Sequence, residues 1–126
     1  MTEESDHTRK FRKELMTGLS ALVLLLVLEQ AGREMYGYEI AKAMKLEGDG
    51  ASEPLFKQGA IYPVLRSLAA SGLLGSRVEA SEVGPPRRYY RITEEGRGAL
   101  AEWLTVWRDM RGFVDGAITS EKGLTQ

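Results

Sequence analysis

The side chains able to recognise another molecule fall in two short stretches. Lys57, Gln58 and Arg66 lie within LFKQGAIYPVLRSLAASGLL, residues 55–74, and Arg87, Arg88 and Arg91 lie within PPRRYYRI, residues 85–92, which contains no acid. Ammonium and guanidinium groups hold phosphates or guanine, and a glutamine amide pairs with adenine, so this combination suits nucleic-acid recognition. A solvated helix face is the simpler account of Lys57, Gln58 and Arg66 taken alone, as a solvent-exposed hairpin arm is of the arginines. The formal net charge of −1 does not favour a nucleic-acid binder, since those tend to be strongly basic. Distribution matters more than the sum: acids gather at Glu3, Glu4 and Asp6 and again at Glu47, Asp49 and Glu53, which leaves the second basic stretch a one-sided field.

Catalytic chemistry is thinly represented. The single histidine, His7, falls in a polar start of the chain, which removes the usual general base and any histidine metal cluster. Without cysteine there are no disulfides or thiolate metal sites, and a reducing, cytoplasmic setting is expected. No glycine-rich phosphate loop and no nucleophile elbow occurs. The expectation is a non-enzyme with no metal and no cofactor. The longest apolar run, Ala21 to Leu28, covers barely half of the roughly 20 residues of a membrane helix, so no membrane association is expected.

The elements that must position the two stretches follow from periodicity. A chain of 126 residues has the length of one domain. Residues 1–7 read as a disordered lead. Phe11, Leu15, Leu19, Leu22 and Leu26 recur at helical steps up to Gly32, and residues 22–28 are apolar all round, which calls for burial in the core or cover by a second chain. A short second helix is expected from Tyr38 to about Leu46, with Tyr38 partly exposed by phase, and residues 47–54 read as a loop.

Within residues 55–74, Ile61, Leu65 and Leu68 share one face of a third helix, and Gly72 stops it. Pro63, lacking an N–H, is tolerated only near a helix start, which places that start at residues 57–60. Residues 75–78 and 88–92 read as two strands of a hairpin around Gly84, Pro85 and Pro86, with Tyr89 and Tyr90 on opposite faces. Thr93 caps a last helix, residues 94–116, whose Trp103, Trp107, Met110 and Val114 fall on one stripe; residues 117–126 lose the pattern and should fray. Residues 8–93 thus read as a helix-turn-helix followed by a β wing, in which the third helix enters a major groove and the wing lies along the backbone.

In that frame the sequence resembles the PadR family of bacterial transcriptional regulators, in its short form, from about Glu14 to Val114. The resemblance is carried by YGYEIAKAM at residues 36–44, GAIYPVLRSL at 59–68, SGLL at 71–74 and GPPRRYYRITEEGRGAL at 84–100. It implies a mainly α fold with a small β-hairpin: a winged helix-turn-helix with a long C-terminal dimerisation helix. The implied protein is a homodimeric repressor that sits on double-stranded operator DNA and is released by a small planar or phenolic effector.

The DNA-binding set expected on this footing is Tyr38, Lys57, Gln58, Gly59, Ala60, Tyr62, Pro63, Arg66, Arg87 and Arg88. Gln58 reads bases while Lys57, Tyr62 and Arg66 hold register, with a core position for Tyr62 an equal alternative to a DNA-facing one. Many members carry Ser or Thr where this chain has Ala60, which can neither cap the helix nor bond a phosphate, so that contact passes to Lys57, Gln58 and Tyr62. The expected dimer interface comprises Leu15, Leu19, Leu22, Leu26, Trp103, Trp107, Met110 and Val114. Trp103 and Trp107 serve first as dimer packing, and the resemblance adds effector stacking, with Trp107 at about the position used by drug-sensing relatives. A protein-protein interaction module built on the same wing and helix is the competing reading.

Overall fold

The computed structural model describes residues 4–44 and 58–120. Helix α1 spans Asp6–Ala31, β1 Met35–Tyr36, α2 Gly37–Ala43, α3 Gln58–Ala70, β2 Leu74–Glu79, β3 Arg87–Ile92 and α4 Glu94–Thr119. The three strands form one antiparallel sheet in the order β1-β3-β2.

Each helix end has a local cause. The Ser5 hydroxyl accepts a hydrogen bond from the Thr8 N–H, so α1 begins at Asp6, with an acid in its first turn. Of the expected lead, Asp6 and His7 are helical, and residues 1–3 lie outside the described residues. Gly32, at φ 66°, closes α1 by donating its N–H to the Leu28 carbonyl. At α2 the Tyr36 N–H donates to the Glu39 carboxylate at 3.0 Å. After α3, Gly72 takes φ 85° and the Leu73 N–H reaches back to the Leu68 carbonyl.

Helix α4 continues through residues 117–119, beyond the expected end at 116. No proline interrupts it there, and an Arg111–Asp115 ion pair supports its penultimate turn. The two hairpin strands are also longer than expected, because their antiparallel register runs unbroken from Leu74↔Ile92 to Glu79↔Arg87. Strand β1 was not legible in the sequence: two residues carry no period.

The core lies where α1, α2 and α3 meet the inner face of the sheet. Leu24, Leu25 and Leu28 of α1, Ile40 and Met44 of α2, and Ile61, Leu65 and Leu68 of α3 are buried there. They meet Leu74, Tyr90 and Ile92 from the strands and Leu100 from α4. Leu100 therefore ties the first turns of α4 into the body formed by the preceding elements. Helix α1 is long and apolar enough to cross a membrane by length and composition, but it packs against α2, α3 and α4, as a core helix does.

One joint fixes the sheet to α4. The Thr93 hydroxyl accepts from the Gly96 N–H at 2.9 Å and donates to the Gly72 carbonyl at 2.7 Å, while the Thr93 N–H donates to the Leu73 carbonyl at 3.1 Å. Gly96 is buried in this joint, and a Cβ on it would run into the Leu73 carbonyl oxygen and crowd Ile92.

Candidate nucleic-acid interface

Helix α3 divides by phase. Ile61, Leu65 and Leu68 are buried, while Gly59, Ala60, Pro63, Arg66 and Ser67 are exposed. The exposed edge begins with small residues, and among the described residues outside the helix's own backbone nothing lies within 4 Å of a Cβ placed on Gly59. A helix edge without bulk, followed one to two turns later by a guanidinium, can approach a grooved polyanion closely. Gln58 is the first residue of α3 as described, and Lys57 lies outside the described residues.

Tyr62 has a different place from the rest of that set. It is half-buried against the core, and its ring lies over Gly37, where a Cβ would come within 2.5 Å of Cε1. It braces α2 against α3, which is the geometry that holds the two helices of a helix-turn-helix at their angle. Tyr38 is exposed on α2, with the Lys42 ammonium 5.5 Å from its ring centroid. Lys42 was not singled out from the sequence, although its four-residue step from Tyr38 was the available signal.

In the hairpin, strand alternation sends Arg87 and Arg88 to opposite faces. Arg88 continues the inner face, in line with Tyr90 and Ile92, and has Ser76 Oγ at 3.3 Å. Tyr90 is buried and Tyr89 is not, the split expected for adjacent strand residues. Arg87 turns to the outer face, where its guanidinium stacks 4.4 Å from the centroid of Tyr36.

The outer face carries a second cluster that the sequence did not reveal. Arg77 donates from Nε and Nη2 to the two carboxylate oxygens of Glu34, at 2.8 and 2.7 Å, and from Nη1 to Glu79 at 2.8 Å. Its guanidinium lies 4.8 Å from the centroid of Tyr89, which meets Tyr36 edge-on at 5.6 Å. The hydrogen bond from Arg77 holds the Glu34 carboxyl below the usual glutamate range, assisted by the charges of Arg77 and Arg91. No local pattern joins residues 34 and 77.

The expected dimer residues separate into packed and open sets. Leu19, Leu22 and Leu26 are half-buried, the last two against the core, and so is Trp103. Leu15 on α1 and Trp107, Met110 and Val114 on α4 are exposed, together with Phe11, Val106, Phe113 and Ile118. Two shallow surface hollows, at Glu79, Ala80, Ser81, Arg87 and Tyr89 and at Lys10, Lys13, Glu14 and Thr17, include neither tryptophan.

Comparison with known proteins places this geometry. The family model described as transcriptional regulator PadR-like family matches residues 24–102. The transcriptional regulator Rv3488 of Mycobacterium tuberculosis is 34% identical over 83 residues, 66% of this chain and 72% of that protein. The crystal structure of a PadR family transcriptional regulator from Eggerthella lenta superposes with a TM-score of 0.72 at 28% identity, covering 92% of this chain and 96% of the other. That of a PadR-like transcriptional regulator from Bacillus cereus gives 0.66 at 28% identity, over 86% and 99%. With the family model spanning more than half of its length, this chain belongs to the PadR-like family of transcriptional regulators.

Proposed function

We propose that the protein is a homodimeric, sequence-specific DNA-binding repressor, cytoplasmic like its target, with α3 as the recognition helix and the β2–β3 hairpin as the wing. The observation that carries this reading is the α3 edge of Gly59, Ala60, Pro63, Arg66 and Ser67, exposed on a helix whose other side is locked in the core. Gln58 is assigned to base edges and Lys57 and Arg66 to phosphate or guanine. Tyr38 and Lys42 flank the groove from α2. In the wing Arg88 reaches the backbone and Arg87 adds charge from its stacked position.

A second copy is the assigned cover of the open apolar side of α4, because Trp107, Met110, Phe113, Val114 and Ile118 line one exposed arc of that helix, and a contiguous apolar patch of this kind marks an interaction surface. The two-fold then sets half-sites about one helical turn apart, or a multiple of it. The effector part of the reading rests on the exposed Trp107 ring: a planar aromatic compound stacked on it would quench tryptophan fluorescence and release DNA. Mobility shift on the promoter next to the protein's own gene, repeated over a range of salt, is the primary test. A steep salt dependence with a defined footprint is expected, and binding only to partner proteins with no footprint would replace this reading by an interaction module.

A further inference from the structure

We propose that Arg77 is a positioning residue for DNA binding: clipped between Glu34 and Glu79 and stacked on Tyr89, it fixes the wing to the start of the helix-turn-helix without itself touching DNA. The inference rests on the DNA-binding reading above and adds to it a coupling between two elements.

The geometry that supports it is specific. Glu34 immediately precedes β1, and Tyr36, the last residue of β1, is the N-cap of α2. Glu34 is therefore attached to the helix-turn-helix, whereas Arg77 and Glu79 belong to the outgoing arm of the wing. Strand β1 pairs only with β3, through Met35↔Tyr90 and Tyr36↔Tyr89, so no backbone bond joins β1 to β2. The two parallel hydrogen bonds from Arg77 to Glu34 are the direct link across that gap. A bidentate guanidinium–carboxylate pair constrains angle as well as distance, and a lysine cannot reproduce it. Tyr36 and Tyr89, packed edge to face, with Arg87 and Arg77 stacked on them, fill the space between.

The assignment differs in sign from simple electrostatics. If Arg77 were a phosphate ligand restrained by Glu34, removing the acid would free a cation beside DNA, lower the local negative charge and tighten binding. If Arg77 positions the wing, the same change loosens the hairpin and weakens binding.

The experiment uses Glu34→Gln, Arg77→Gln, Arg77→Lys and the Glu34→Gln/Arg77→Gln double variant of the full chain, with far-ultraviolet circular dichroism to confirm folding. Amide hydrogen exchange of residues 74–79 and 87–92 is measured without DNA, and operator affinity is measured separately. Faster exchange in the hairpin is expected for all four. Weaker binding by about fivefold or more is expected for all four, with the double variant no worse than either glutamine single and the lysine variant giving no rescue. Unchanged hairpin exchange would overturn the strut itself. Faster exchange with unchanged or tighter DNA binding would overturn its role in positioning. Failure of the unmodified protein to bind any DNA would instead overturn the reading on which the proposal rests, while the exchange data would still decide whether the strut exists.

Discussion

The ring of Tyr62 on α3 lies over Gly37, the first residue of α2, so closely that a Cβ at residue 37 would come within 2.5 Å of Cε1. The glycine is required by a neighbour, since its own φ is not positive. Gly37→Ala must push the ring aside or rotate α2 against α3, and overpacking of this kind costs about 1–3 kcal/mol. Lower thermal stability and weaker operator binding are expected together. Combining it with Tyr62→Leu should recover part of the stability loss, because the obstacle is then removed; a double variant as unstable as the sum of the singles would argue against the contact.

Gly96 presents the harder case, because the obstacle is backbone. A methyl there meets the Leu73 carbonyl oxygen, which already accepts from Thr93. Gly96→Ala should therefore destabilise by about 3 kcal/mol, the upper part of the overpacking range. Helix propensity alone would make the same change stabilising by up to about 1 kcal/mol, so the sign measured in a denaturant titration separates the two effects.

Arg88→Ala and Arg87→Ala should differ in their salt dependence of DNA binding. Arg88 projects from the inner face with only a long hydrogen bond to Ser76, and removing one phosphate contact lowers the log-log slope by about 0.9. Arg87 is stacked on Tyr36, so its loss should weaken binding with a smaller change of slope. Equal slopes for wild type and Arg88→Ala would remove Arg88 from the backbone contacts.

The ion pair of Glu34 makes a prediction for pH. Its carboxyl is held below the usual glutamate range, first by the Arg77 hydrogen bond and then by the charges of Arg77 and Arg91. A folded-state value below the unfolded one means stabilisation that is present in full above the ordinary glutamate range and lost as pH falls through the depressed value. Wild type should therefore be more stable than Glu34→Gln at neutral pH, and the gap should close on acidification. Thermal unfolding of both proteins across that acid range checks it; a constant gap would show that the carboxylate charge is not what stabilises the pair.

Much of this was legible because its causes are local. The order of three helices, hairpin and last helix follows from apolar spacing, from Gly32 and Gly72 and from the Thr93 cap, all within a few residues of the features they determine. The opposite facing of Tyr89 and Tyr90 follows from strand alternation, but which member faces the core depends on where the helices lie, and the parting of Arg87 from Arg88 follows only because β3 begins at Arg87, one residue earlier than expected. The Arg77–Glu34 pair spans 43 residues, and the tight seats of Gly37 and Gly96 are set by Tyr62 and Leu73; no window of sequence contains both halves of such a relationship. Helix α1 takes in Asp6 and His7 from the expected lead because the Ser5 cap, which sets its start, carries no hydrophobic period.

Helix α4 supplies the last prediction. Its side toward α1 is engaged by Leu100 and Leu104, while Met110 is 57% exposed and Phe113 75% exposed on the remaining arc. Met110→Glu places a charge on that arc without touching the core of the protomer, so the fold of one chain should be unaffected. If a second copy covers the arc, the carboxylate becomes buried without a partner, and a cost of several kcal/mol shifts the equilibrium toward monomer by about a hundredfold or more. Sedimentation at micromolar concentration should then give a dimer for wild type and a monomer for the variant, with operator affinity falling in parallel because each half-site is bound alone. A variant that sediments as wild type would place the two-fold elsewhere and leave the apolar side of α4 needing another cover.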